Sequence, residues 1–179
     1  MSRRTWLSLS VPLLLVGAWF LVTALVRRHV DGLIQHAVDA PLPEFRLTDR
    51  AGRTWTQLDL AGKRAVLHFF RSRCHSCDVE APEIRAFEAR LPADVVCLHV
   101  MTDAVLEFAP ELTAATLQAK AFAQPVLMAD AAFVDAFHGV DWSNVTPITY
   151  VVDARGTVRY GLRGARTAAE LEQALAAVR

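Results

Sequence analysis

The chain has 179 residues, 19 Lys or Arg against 19 Asp or Glu, and 53% apolar content. That length holds one ordinary domain and an appendage. Balanced charge gives no support for nucleic-acid binding, and three cysteines are too few for a disulfide-stapled mini-protein.

The apolar excess is concentrated at the start, where Leu7–Val26 contains no charged residue. At ~1.5 Å per residue a helix of that length crosses roughly 30 Å, the hydrocarbon core of a bilayer. Arg3 and Arg4 precede the run, and Arg27, Arg28 and His29 follow it. A cleaved secretory signal has a similar front end, but its apolar core is only about 7–15 residues long and small residues mark the cut. Here a basic cluster follows instead, and the one remote candidate cut, His36-Ala37-Val38-Asp39-Ala40, lies far from the run. Ser2-Arg3-Arg4-Thr5-Trp6-Leu7 also resembles a twin-arginine export signal. The sequence predicts an uncleaved single-span anchor over residues 1–28. The amino terminus, Arg3 and Arg4 slightly outweigh Arg27 and Arg28, which favours a cytoplasmic N-terminus and an exported remainder. Without residues 1–28, 15 basic residues face 19 acidic ones, a net charge of about −4.

Residues 29–43 read as a polar linker ending in Pro41-Leu42-Pro43, a short stiff stalk. A folded domain over 44–179 follows. Phe45-Arg46-Leu47-Thr48 alternates and runs into Asp49-Arg50-Ala51-Gly52, a strand and a turn. Ala65–Phe70 is a compact apolar run, the pattern of a buried central strand. A helix begins near Cys74, with Val79, Ile84, Phe87 and Leu91 spaced as an apolar face and a kink expected at Pro82. Asp94–Met101 reads as a second buried strand, Glu111–Phe122 as a helix, Pro125–Met128 as a short strand and Ala131–Phe137 as a helix. Thr149–Val152 and Thr157–Tyr160 flank Asp153-Ala154-Arg155-Gly156, a hairpin with glycine in its turn. Thr167 caps a last helix, with Glu170 completing a capping box. This order fits an α/β sandwich around a mixed sheet.

Cys74-His75-Ser76-Cys77 sits between the buried strand and the helix. Unpaired N–H groups and the positive end of the helix dipole at that place favour a thiolate at Cys74. A lowered thiol pKa makes the nucleophile that disulfide exchange needs, and Cys77, a turn further in, can resolve the mixed disulfide. On these terms Cys74 is the exposed thiol and Cys77 the buried one. Two other readings stand beside this one. A zinc site needs two more ligands, for which the sequence offers His75, Cys97 and His99 but no second CxxC. A merely structural disulfide closing so short a loop adds little stability.

The strand–CxxC–helix order, followed by Thr146-Pro147 just before a strand and hairpin, resembles the thioredoxin superfamily. The N-terminal anchor, Pro43-Glu44-Phe45-Arg46-Leu47 and Cys74-x-x-Cys77-x-x-Glu80-x-Pro82 resemble its TlpA/ResA-type membrane-anchored branch, over roughly residues 41–178. The resemblance implies a thioredoxin-like three-layer α/β/α sandwich and a redox-active Cys74–Cys77 disulfide. It also implies a cis Thr146–Pro147 bond whose backbone helps bind the partner chain. Glu80 matches a family glutamate that manages protons near the buried cysteine, and its i, i+3 spacing from Cys77 supports that independently; the other reading is a solvated helix glutamate that suits the first-turn dipole. The implied partners are exported thiol or disulfide proteins, including those maturing cytochrome c or copper sites, and a membrane electron donor. No cofactor beyond the cysteines and no metal is implied. The implied place is the bacterial inner membrane, with the domain in the periplasm or outside.

The family's tryptophan before the first cysteine is here Arg73, and His75-Ser76 replaces the usual pair with proline. Arg73 and a protonated His75 both favour a thiolate at Cys74, which makes the disulfide more oxidising. Val140–Pro147 is longer than the family norm, so the loop facing the disulfide is expected to be reshaped around Trp142. Cys97, His68 and His99 lie in apolar strands and read as a buried inert thiol and two satisfied core histidines. A copper- or metal-handling module using the CxxC pair and a histidine is the alternative function. A peroxidase is weaker, because the proline and threonine expected before a peroxidatic cysteine are missing at Phe69–Arg73.

Overall fold

The computed structural model describes residues 3–178, with side chains from Pro12 onward, so part of the Ser2–Leu7 motif lies outside the described residues. The chain divides into two compact units between Gly32 and Leu33.

Helix α1 covers Arg3–His36. Its stretch from Pro12 to His36 is long and apolar enough to cross a membrane. Within the first unit Leu13, Leu14, Trp19 and Phe20 are all exposed. Such a surface suits hydrocarbon and not water.

The second unit is built on a five-stranded mixed sheet of order β5-β4-β3-β6-β7. Its strands are β3 (Arg64–Phe70), β4 (Val95–Met101), β5 (Val126–Met128), β6 (Ile148–Val152) and β7 (Val158–Arg163). β3 runs parallel to β4 and antiparallel to β6. A two-stranded ribbon, β1 (Arg46–Thr48) with β2 (Thr54–Thr56), precedes the sheet. The buried run Ala65–Phe70 is therefore the central strand, and its period of two sends alternate side chains to opposite faces. Phe69 meets Phe133 and Phe137 of α4 (Ala131–His138) on one face. On the other, Val66, Cys97 and Val151 pack with Ile84 and Phe87 of α2 (His75–Glu88). Leu171 and Leu175 of α5 (Ala168–Ala176) complete that layer. Thr167 and Glu170 form the capping box of α5.

Three features differ from the sequence reading. The segment read as a linker over 29–43 is folded. α1 continues to His36, and Asp39 N donates to Val158 O (2.7 Å) and Val158 N to Ala40 O (3.0 Å). Gly161 permits the fit: a Cβ there would meet Ile34 Cγ2 at 2.6 Å, and Ile34 is buried. On α2, Val79 is exposed, and the buried face is Cys77, Glu80, Ala81, Ile84, Phe87 and Glu88. Two carboxylates thus occupy positions that an apolar pattern skips. Helix α3 (Pro110–Lys120) also ends earlier than expected, where Ala121 takes a left-handed conformation (φ +49°).

Candidate active site

β3 delivers the chain to Phe70, and Arg71–Arg73 turn it, with Arg73 at φ +52°. Cys74 is the N-cap of α2, and its sulfur accepts the Cys77 N–H at 3.1 Å. A sulfur thus fills the place where Ser, Thr or Asp ordinarily satisfies an orphan helix donor. Cys74 and Cys77 are joined as a disulfide with their Cα atoms 5.2 Å apart.

Above the disulfide lies the Thr146–Pro147 peptide, which is cis. The Thr146 carbonyl is 3.5 Å from Cys74 Sγ, and Thr146 Oγ1 donates to that sulfur at 3.4 Å. This cover explains a departure from the sequence reading, which made Cys74 the exposed thiol. In the disulfide Cys74 keeps only 5% exposure, against 2% for Cys77. What accessibility remains still favours Cys74.

The two halves of the site are held together by groups the sequence reading missed. Arg71 Nε donates to Asn144 O (3.0 Å), and its Nη1 donates to Ser72 O and Arg73 O (both 2.9 Å). Thr102 Oγ1 donates to Ser143 O at 3.1 Å. Buried Asp103 accepts from Ser72 N (2.7 Å), Ser72 Oγ (2.5 Å) and Thr113 Oγ1 (2.7 Å). The loop leading to Thr146 starts with a 3-10 turn at Val140–Trp142, so Trp142 lies at its beginning. The signal was present in Arg71-Ser72 directly before the motif, but nothing local says where these side chains reach.

Arg73 places its guanidinium over Phe108, 5.8 Å from the ring centroid. His75, the first residue of α2, is exposed. Glu80 is buried at 1% exposure and is not a solvated helix glutamate. Its Oε1 accepts from Arg166 N (2.9 Å), and its Oε2 lies 3.1 Å from His68 Nε2. His68 and His99 are buried and meet each other, Nδ1 to Nδ1, at 3.0 Å. Cys97 is buried, and burial followed by the nearby Glu88 carboxylate pushes its thiol far above the ordinary range. It is inert. Among the described residues no group of three or more His, Cys, Asp or Glu is placed to hold a metal ion.

Chemically, the site presents a largely covered sulfur at a helix N-terminus, a second sulfur bonded to it, and the Thr146 carbonyl and hydroxyl beside the first. When Cys74 carries the thiolate, the Cys77 N–H and the helix dipole remain aimed at it. That arrangement can run thiol–disulfide exchange.

The chain is 25% identical over 174 residues to the thioredoxin-like protein YneN of Bacillus subtilis (strain 168), covering 96% of this chain and 97% of that protein. Its fold matches a thiol:disulfide interchange protein of Chlorobium tepidum TLS, with a TM-score of 0.64 and 21% identity over 77% of this chain and 94% of the other. It also matches a DsbF homologue of Corynebacterium diphtheriae, with a TM-score of 0.66 and 16% identity over 78% and 87% of the two chains. At those identities the two structures establish a thioredoxin-like α/β fold. The family model described as the AhpC/TSA family matches residues 38–161, and the chain belongs to that family.

Proposed function

We propose that this thiol–disulfide oxidoreductase exchanges disulfides with exported proteins through a mixed disulfide at Cys74. The observation that carries the reading is the Cys74–Cys77 disulfide at the start of α2, faced by the cis Thr146–Pro147 peptide. Cys74 attacks a substrate sulfur, the Thr146 and Pro147 backbone aligns the substrate chain, and Cys77 resolves the intermediate. Arg73 and His75 add positive charge around Cys74 and bias the centre toward its reduced form. Glu80 serves the protons of Cys77.

In this reading residues 1–28 anchor the protein in the bacterial inner membrane with a cytoplasmic N-terminus, and the domain works in the periplasm or outside. A membrane protein supplies electrons, and the substrates are cysteine proteins bound for cytochrome c or copper-site maturation. The similarity to a thiol:disulfide interchange protein supports the chemistry, and the apolar α1 supports the anchor.

Replacing Cys77 with serine tests this directly. Without the resolving thiol, the adduct between Cys74 and its substrate should survive non-reducing electrophoresis and be identified by mass. Cys74→Ser should trap little, and Cys97→Ser should leave the pattern unchanged. A Cys77→Ser protein that forms no adduct but binds copper or zinc tightly would replace this reading with a metal-handling one.

A further inference from the structure

Below Cys77 the core holds four titratable side chains in one hydrogen-bonded row. His68 on β3 and His99 on β4 are register partners in the parallel ladder, with their Nδ1 atoms 3.0 Å apart. The other nitrogen of His68 lies 3.1 Å from Glu80 Oε2, and that of His99 lies 2.8 Å from Glu88 Oε1. Glu80, His68 and His99 are at most 1% exposed, and Glu88 is 7% exposed. Phe122 stacks on His99 at 4.2 Å and Phe70 on His68 at 5.6 Å, so aromatic faces close the row in.

Each of the row's three contacts joins two atoms that are acceptors when bare, so each needs one proton. Two ionised carboxylates and two neutral imidazoles bring only two N–H protons. The bonded row therefore holds one proton more, and its net charge is −1 wherever that proton sits.

The surroundings fix where it sits. Glu88 also accepts N–H bonds from Ala123 (3.2 Å) and Gln124 (2.8 Å). Burial raises its pKa, but the His99 bond and these amides outweigh burial and hold the carboxyl below its ordinary value. Glu88 is thus the anion. Burial also pushes His99 down to about 4, so the ring is neutral near pH 7. Neutral His99 gives its one N–H to Glu88 and must accept at Nδ1, so His68 donates there. The surplus proton is left at the His68–Glu80 contact. Glu80 lies one helical turn from Cys77, on the same buried face.

On the reading that Glu80 serves the protons of Cys77, we infer that His68, His99 and Glu88 are positioning residues, which hold that proton at the His68–Glu80 contact until the Cys74–Cys77 disulfide opens. The inference rests on the exchange reading above. A dithiol attacks Cys74 Sγ, the bond between the two sulfurs breaks, and Cys77 leaves with its electron pair as a thiolate. The stored proton moves to Cys77 Sγ. In the reverse direction Cys77 returns it, attacks Cys74 Sγ in the mixed disulfide, and expels the substrate thiolate. The partner dithiol or disulfide supplies or removes the two electrons.

Other polar groups surround the row. β4 adds Cys97, and β6 places Thr149 beside His68 in the ladder. Arg166 contributes its backbone N–H, while its guanidinium turns to Arg163 O and Glu170. Glu83 on α2 is engaged by Ala168 N.

The test uses the full chain in detergent, as wild type, Glu88→Gln and Glu88→Asp. Reduction of the disulfide by dithiothreitol is followed across pH by alkylation and mass, and each rate is corrected for the reagent's thiolate fraction. In the wild type the corrected rate should fall as pH rises and the stored proton is lost. Glu88 is about 12 Å from Glu80 along the helix axis, and removing its charge lowers proton affinity there about tenfold. The fall in Glu88→Gln should therefore come about one pH unit lower, and Glu88→Asp, which keeps the charge, should track the wild type. A Glu88→Gln profile superimposed on the wild type overturns the inference, as does an equal shift in Glu88→Asp. If Glu88→Gln does not fold, imidazole ¹⁵N spectra of the wild type decide. Neutral His99 protonated at Nε2, with coupling across the two Nδ1 atoms, is expected; protonation at Nδ1 without coupling overturns it. A wild type that dithiothreitol cannot reduce rejects the exchange reading itself, whereas normal reduction with an unmoved Glu88→Gln profile rejects only the proton store.

Discussion

His138 should make the domain lose stability as pH falls. It is the last residue of α4 and is 1% exposed, with its ring edge against Phe69 and its Nδ1 3.3 Å from the Tyr150 hydroxyl. Its Nε2 is buried without a hydrogen-bond partner. Burial pushes its pKa down to about 4, from an ordinary value of 6.5. The unfolded chain then accepts a proton that the folded one refuses, so stability is lost as pH falls from about 6.5 toward about 4. The full swing is about 3 kcal/mol, of which about 2 kcal/mol falls between pH 7 and pH 5. With a urea slope of about 2 kcal/mol per molar, the unfolding midpoint drops by about 1 M over that interval. His99, pushed down to about 4 mainly by burial, adds a loss of similar size in the same window. His138→Phe keeps the ring packing and removes the titration. Its loss between pH 7 and pH 5 should be about 2 kcal/mol smaller than that of the wild type. Urea unfolding of the full chain in detergent, followed by tryptophan fluorescence, reads both. Equal losses in variant and wild type would refute the reasoning. The matter bears on function, because Gly139 and the Val140–Trp142 turn that begin the site loop follow His138 directly.

Arg71→Ala should slow exchange with a protein substrate by about tenfold while costing about 1 kcal/mol or less in unfolding, because it frees the loop at Asn144 and leaves the core intact. Stopped-flow exchange beside a denaturation curve measures the two effects. Asp103→Ala removes the acceptor of two buried hydrogen bonds and a partly buried one and should cost about 3 kcal/mol of stability, read by the urea midpoint. Gly161→Val should expel Ile34 from its seat, costing about 2 kcal/mol and exposing the chain after α1 to limited proteolysis.

The sheet was legible because its central strands announce themselves. Ala65–Phe70 and Val95–Met101 are apolar on both faces, and the Asp153–Gly156 turn has the glycine its left-handed position requires (φ +78°). The cysteine pair was legible for the same local reason, since the motif, the strand before it and the helix after it are contiguous. What was not legible depends on register. His68 and His99 are separated by thirty residues of chain and become partners only when β3 and β4 pair in parallel. Val79 was misplaced because the buried face of α2 contains Glu80 and Glu88, which hydrophobic periodicity counts as surface. The fold of the 29–43 segment was hidden in a single glycine on β7, whose missing side chain leaves room for Ile34.

The two cysteines answer to different parts of the molecule. Cys74 faces Thr146 and lies beside Arg73 and His75, groups set by the loop surface. Cys77 shares its helix face with Glu80, and Glu80 answers to His68, His99 and Glu88 in the core. If Cys74 is the nucleophile, as proposed, charge changes at Arg73 or His75 should alter it and its choice of partner. Changes at Glu88 should leave recognition alone and act on the proton that accompanies opening of the disulfide. The division follows from burial. Surface charges are screened by solvent, whereas the buried Glu88 charge acts on the row through an interior that screens it far less than water. A Glu88→Gln/Arg73→Ala double variant checks the separation, because effects of independent groups add. The logarithms of its exchange rates should equal the sum of the single changes to within about 0.5 kcal/mol, and a larger coupling would mean that the loop and the buried row act as one unit.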